Sequence, residues 1–170
     1  MQLNYKWKSK DNKLVLYKDV SSSNKGVFSF DLYNTYRDVV AVKLLKAKIF
    51  THSTSNSHSE FFVLHINELN KNESDNLTHK LNNSFAILDI DTHMEQSSSS
   101  HHHIYTNQYD INRDAKYFDP PLHSLNKLSC QVYKKDQSNI LDDVTDSTSS
   151  IEFEIRLEFL IETKEKSRRY

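Results

Sequence analysis

The sequence predicts an all-β protein: a single jelly-roll β-sandwich of about eight antiparallel strands in two sheets. Three observations predict it. Apolar residues recur at every second position in several short runs, the connections between those runs are long and polar, and nine Phe and nine Tyr suit a pleated surface. The connections at 51–60, 70–84, 92–103 and 136–150 favour a jelly roll over a meander, because joining two facing sheets across their ends takes more chain than a tight hairpin. At 170 residues the chain suits one domain, 1–170, with loose ends expected at 1–10 and 164–170.

The first strand is expected where Leu14 and Leu16 alternate within KLVLYKDV. After a Ser-Ser-Ser-Asn-Lys-Gly turn, Phe28, Phe30 and Leu32 alternate in a second. The next run, VVAVKLLKAKIF over Val39 to Phe50, fits two periods. Val39, Val42, Leu45 and Ile49 would make a helical stripe, while the β-branched Val residues and the neighbouring strands favour a strand. Phe62, Leu64 and Ile66 share one face of FFVLHINEL, with Phe61, Val63 and His65 on the other. FAILDI, from Phe85 to Ile90, is a short apolar run between Asn and Asp clusters. A weaker strand is expected over Ile104 to Tyr109, and Leu128, Cys130 and Val132 alternate in another. The clearest is the last: Ile151, Phe153, Ile155, Leu157, Phe159 and Ile161 are apolar, while Glu152, Glu154, Arg156 and Glu158 fill the even positions. A helix would scatter those charges around its circumference, so this is a strand with one buried face.

Gly26 is the only glycine, and Pro120 and Pro121 are the only prolines. Turns are therefore written in Ser, Asn and Asp, whose side chains hydrogen-bond the local backbone. With 22 Lys and Arg against 23 Asp and Glu, the chain carries no global field to recruit nucleic acid or acidic lipid. Cys130 is the lone cysteine, which excludes an intrachain disulfide and suits a reducing cytosol. The opening MQLNYKWKSK lacks the apolar core of a secretory leader, and no apolar run approaches the ~20 residues of a membrane span.

The stretch Tyr117-Phe118-Asp119-Pro120-Pro121-Leu122, followed by Leu125-Asn126-Lys127-Leu128-Ser129 and a strand, resembles the C-terminal half of the single jelly-roll penton and minor capsid proteins of nucleocytoplasmic large DNA viruses, virophages and polinton-like viruses. In that family a segment ending in PL precedes L-x-x-L and a strand, then an acidic turn and the final strand. Val39 to Ile49 resembles its early strand, Phe61 to Leu69 its strand ending in I-x-E-L, and Phe85 to Leu88 its F-A-I-L strand. The likeness covers about residues 25 to 163, and its specificity lies in the order of the pieces. One departure is the acidic turn, 136–150, which is longer than the family's and lacks its Gly. The resemblance implies a structural subunit of the virion capsid, assembled in the host cytoplasm. It would form homopentamers at icosahedral vertices beside double jelly-roll major capsid proteins and other minor capsid proteins. A minor capsid or cement protein is the nearest alternative, and a carbohydrate- or receptor-binding β-sandwich module comes from another class.

No enzyme is expected, and no residue is singled out as catalytic, cofactor-binding or metal-ligating. One Gly cannot supply a phosphate loop, a nucleotide fingerprint or a G-x-S-x-G turn. His101, His102 and His103 follow four Ser in a stretch expected to be a loop, where adjacent side chains diverge and make a poor metal site. His52, His58, His65, His79, His93 and His123 show no ligand spacing; His65 reads as a sheet-face residue. Cys130 sits with Leu128 and Val132 and reads as a small buried hydrophobe rather than a nucleophile. Glu152, Glu154 and Glu158 read as the wet face of a strand rather than a glycosidase pair. The sequons at Asn72, Asn76 and Asn82 share one loop and suit an exterior tip. The basic tail, Lys164, Lys166, Arg168 and Arg169, reads as a solvated end, with a DNA or acidic-partner contact as the rival. Tyr33, Tyr36, Tyr105 and Tyr109 are candidate subunit contacts, because Tyr is enriched at interfaces. A cupin-like enzyme would need Gly-rich turns and spaced His and Glu ligands.

Overall fold

A computed structural model describes residues 8–20, 27–53, 61–69, 84–97, 100–107, 114–134 and 152–165, with the backbone alone at 8–9, 52–53, 92–97, 100–102, 152 and 165. Seven strands account for nearly all of them: β1 (Lys8–Val20), β2 (Val27–Ser53), β3 (Phe61–Ile66), β4 (Ala86–Ser97), β5 (Ser100–Asn107), β6 (Ala115–Lys134) and β7 (Glu152–Glu165). There is no helix among the described residues, so the run from Val39 to Phe50 is strand. Lys8–Lys10 and Lys164–Glu165, expected in the loose ends, belong to β1 and β7 and pair with each other.

All pairings are antiparallel and link the strands into one sheet, ordered β1-β7-β2-β5-β4-β3-β6, in which β6 also returns to β2. The long strand β2 makes this possible. β7 lines one edge of it from Val39 to His52, while β6 and then β5 take the opposite edge, along Val27–Lys43 and Lys48–Ser53. Two expected strands thus run together in β2, which accounts for seven where eight were anticipated. Asp38, between them, has φ of 51°, in the left-handed region that Asp tolerates better than most residues.

The edge between β2 and β6 is broken twice. Three extra β2 residues lie between Asp31 and Tyr36, and three extra β6 residues lie between Tyr117 and Leu122. The second break holds Pro120 and Pro121, which have no N–H to give a ladder and so sit where pairing lapses. The Asp119–Pro120 peptide is cis.

The curled sheet closes on an apolar interior. Phe153, Ile155, Leu157, Phe159 and Ile161 of β7 are all buried while Glu154 and Arg156 are exposed, as the period of two requires. Leu128, Cys130 and Val132 of β6 and Phe28, Phe30 and Leu32 of β2 are buried likewise. In β3 both faces are covered, Val63 and His65 as well as Phe62, Leu64 and Ile66. Aromatic rings meet through this interior between strands that are not neighbours at those positions: Phe28 with Phe153 at 6.1 Å, Phe85 with Phe159 at 6.3 Å and Phe62 with Tyr105 at 4.1 Å between centroids. Edge and tilted ring pairs of this kind add to the area they bury.

Candidate functional site

Three polar junctions tie strands together beyond the regular ladder. The first joins the turn after β3 to β6. Asn67 N–H donates to the Ser129 carbonyl at 2.9 Å, and the Glu68 carboxylate accepts from Ser129 N–H and Ser129 Oγ, both at 2.7 Å. Two charge-assisted bonds from one carboxylate fix the end of β3 on β6. Glu68 and Ser129 lie in the I-x-E-L and L-x-x-L-Ser segments, which are far apart in sequence.

The second junction lies where the β2 edge passes from β6 to β5. Residues 44–47 have neither partner there. Asp114 O accepts from Leu44 N–H at 2.8 Å, and Asn107 Oδ1 accepts from Ala47 N–H at 2.7 Å. Asn107 Nδ2 in turn donates to Asp114 Oδ2 at 3.2 Å, and both residues are buried. The ends of β5 and β6 are thereby tied to one point of β2.

The third gathers histidines. The triplet expected in a loop is strand: His101, His102 and His103 belong to β5 and pair on both edges. His102 stands opposite His52 in β2, and His103 opposite His93 in β4. Buried Thr51 lies opposite buried His103, and Thr51 Oγ1 donates to the His103 carbonyl at 3.5 Å. Ladder register brings together residues about fifty positions apart, and no linear spacing could have announced it. Among the described side chains no three of His, Cys, Asp or Glu gather as a metal-holding group.

The other residues singled out by the sequence are dispersed. His65 is buried with its ring 5.1 Å from that of Tyr133, and His123 is exposed. Cys130 is a free, buried thiol, and desolvation with Glu68 nearby pushes its ionisation well above the ordinary thiol range. Glu154 is exposed, whereas Glu158 pairs with Arg156 at 2.9 Å and Lys13 at 3.4 Å on the outer face of β7 and β1. Tyr36 is half-buried against the core, and Tyr33 is fully exposed.

Tyr105 requires a correction. It is not a surface contact but a core residue, 1% exposed, stacked on Phe62, and burial raises its pKa from 10.0 to about 12. It faces inward because it alternates with buried His103 and Asn107 along β5. Tyr109, the sequons at Asn72, Asn76 and Asn82, the acidic turn and Lys166, Arg168 and Arg169 lie outside the described residues.

On the outside, Val15 and Tyr17 of β1 are exposed, opposite Glu158 and Arg156 of β7, and Tyr17 Oη donates to Asp19 at 2.6 Å. Lys43 bridges β2 to β7 through Glu162 at 2.5 Å and lies 5.7 Å from the exposed Tyr117 ring. Its bond to Glu162 raises the ammonium pKa. Among the described residues no helix is long and apolar enough to cross a membrane. No protein-family model and no curated protein matches the chain.

Proposed function

We propose that this chain is a structural protein, a single jelly-roll capsid subunit that acts by assembly, as the penton homopentamer at icosahedral vertices beside a double jelly-roll major capsid protein. The observation that carries the reading is the pairing pattern. Divide β2 at Asp38 into an early and a late half, and the described chain has eight strands in order. The first pairs with the eighth (β1 with β7), the second with the seventh (early β2 with β6), the third with the sixth (late β2 with β5) and the fourth with the fifth (β3 with β4). That is one long hairpin ribbon. Three further pairings, β7 with late β2, β6 with β3 and β4 with β5, roll it into the four-strand runs β1-β7-β2-β5 and β2-β6-β3-β4, which stay joined through β2 and through β4 with β5. Rolling such a ribbon is how a jelly roll protects its edges. The cross-interior ring contacts of Phe28 with Phe153, Phe85 with Phe159 and Phe62 with Tyr105 each join one group to the other.

The capsid reading rests further on the resemblance of the 25–163 segments to the penton and minor capsid family. The bond between Glu68 and Ser129 supports it, because it ties together two of the segments that carry the likeness. A rigid wedge with Tyr33 wholly in solvent suits a heterologous contact that repeats until a ring closes. On this reading the chain is not an enzyme.

The test is the mass of the purified full-length chain by sedimentation velocity. Five copies of the 20.0 kDa chain give a particle of about 100 kDa, and Tyr33→Ser shifts it towards the monomer with the strand content unchanged. A chain that stays monomeric at millimolar concentration and is missing from particle vertices by cryo-electron microscopy defeats the proposal. Selective binding on a glycan array would move the reading to a carbohydrate-binding module.

A further inference from the structure

Among the described residues, β1 is the one strand that uses a single edge. It pairs with β7 from Lys8 to Val20 without a break in register, and every other strand has neighbours on both sides. A straight strand of 13 residues with its second edge open is a template for another strand. Along its outer face Asp11, Lys13, Val15, Tyr17 and Asp19 are all exposed, and on its inner face Leu14 and Leu16 are only half-buried at the border of the core. The charges sit at the two ends of the Val15 and Tyr17 pair. Lys13 keeps 62% of its side chain in solvent while reaching Glu158 at 3.4 Å. Asp19 stands opposite Glu154 and accepts from Tyr17 Oη, which holds its carboxylate on the outer face. Lys18 does not guard the edge, because its Nζ donates to the Ser29 carbonyl of β2 at 3.0 Å.

We propose that the open edge of β1 pairs antiparallel with the same edge of a second copy of this chain, about a twofold axis at Leu16. Residues directly opposite in an antiparallel pair share a face, so a twofold axis through the sheet sets outer residues against outer residues. Centred on Leu16, Lys13 lies opposite Asp19 of the second copy and Val15 opposite Tyr17 of the second copy, and the symmetry repeats both pairs. Opposite charges and an aromatic ring against a β-branched side chain are the cross-strand pairs that stabilise a ladder. The neighbouring registers lack this match. A centre at Val15 sets Asp11 against Asp19, one at Leu14 sets Lys10 against Lys18, one at Tyr17 sets Val15 against Asp19, and one at Lys18 sets that ammonium against itself. The occupant is therefore a second copy, because the strand is complementary to itself in one register. The runs β1-β7-β2-β5 of both copies then continue as one sheet. A twofold contact is closed once made, so it cannot build a five-membered ring and stands apart from the capsid reading. It doubles whichever particle the chain forms.

The experiment follows the full-length chain by sedimentation velocity over a concentration series. A doubling of mass is expected, from 20.0 to about 40 kDa for single chains, or from about 100 to about 200 kDa where rings form as well. Val15→Lys sets an ammonium beside the axis and should weaken the doubling about tenfold or more, with the strands intact by circular dichroism. Lys13→Asp and Asp19→Lys each place like charges opposite one another and should weaken it too. An equimolar mixture of these two variants opposes Asp and Lys at both ends and should recover the association of the unaltered chain. Hydrogen exchange at the β1 amides should slow as the mass doubles. Tyr33→Ser should leave the factor of two in place, which separates this contact from the ring contact. A chain whose mass never doubles up to millimolar concentration overturns the proposal. So does doubling that Val15→Lys leaves intact, a mixture of charge variants that fails to recover it, or β1 amide protection that appears only when a different protein is added.

Discussion

Replacing Asn107 with Ala tests whether the β2 edge needs its polar tie. Asn107 Oδ1 accepts the buried Ala47 N–H at 2.7 Å and its Nδ2 donates to Asp114 Oδ2 at 3.2 Å. Truncation strands a backbone donor where β2 has left β6 and not yet met β5, and withdraws one donor from the Asp114 carboxyl. An unsatisfied buried donor costs about 1–3 kcal/mol, and a lost bond to a carboxylate about 1.5–3 kcal/mol. The variant should therefore lose about 3–5 kcal/mol, a large share of the 5–15 kcal/mol typical of a domain. Urea unfolding followed by tryptophan fluorescence and far-ultraviolet dichroism measures it, with an unchanged slope marking a native-state effect. Asp114→Ala and the double variant complete a cycle whose coupling energy should reach about 1–3 kcal/mol. A loss below about 1 kcal/mol in Asn107→Ala, or strict additivity in the cycle, would refute the idea that this pair holds the hand-over.

Other perturbations follow from the same geometry. Glu68→Ala should cost about 1.5–3 kcal/mol by the same urea assay, since both bonds to Ser129 end on one carboxylate. Phe159→Ala, in the sealed interior, should cost about 3–5 kcal/mol, whereas Glu154→Ala on the outer face should stay within about 0.5 kcal/mol. Cys130 should resist a thiol reagent until the chain unfolds, with labelling rates tracking denaturant. Its raised thiol pKa means that the folded chain keeps a proton the unfolded chain releases. Stability should thus hold below the unfolded thiol value of about 8.5 and fall as pH climbs above it, a slope that Cys130→Ala flattens.

What could be read from residues alone depended on whether the period of two stayed in phase. In β7 it does, and every inward residue from Phe153 to Ile161 was legible. In β2 it does not. The buried core positions there are Val39, Val42, Leu44, Ala47 and Ile49, because irregularities at Val39–Ala41 and Leu44–Lys46 each slip the phase by one. Alternating steps of three and two imitate a helical stripe, which is why that run fitted both periods. The discriminating residue is Leu45: a helix would bury it with Val42 and Ile49, yet it is only half-buried and outside the core cluster.

The polar junctions were hidden for a different reason. His101, His102 and His103 look like a solvated loop because Ser precedes them and adjacent residues diverge, but divergence is also what a strand does: it sends alternate residues to opposite faces. Once β5 is flanked by β2 and β4, the triplet stops being one cluster, because each member takes its own partners: His102 stands opposite His52 and Met94, and His103 opposite Thr51 and His93. Which residues these partners are is set by a one-residue bulge at Asp91, a choice of register that no local propensity encodes. Deleting Asp91 removes only the unpaired residue and so leaves Thr92 opposite Ile104 and His93 opposite His103; the variant should keep its strand content by circular dichroism, and a loss of that content would refute the reading of Asp91 as a bulge outside the ladder.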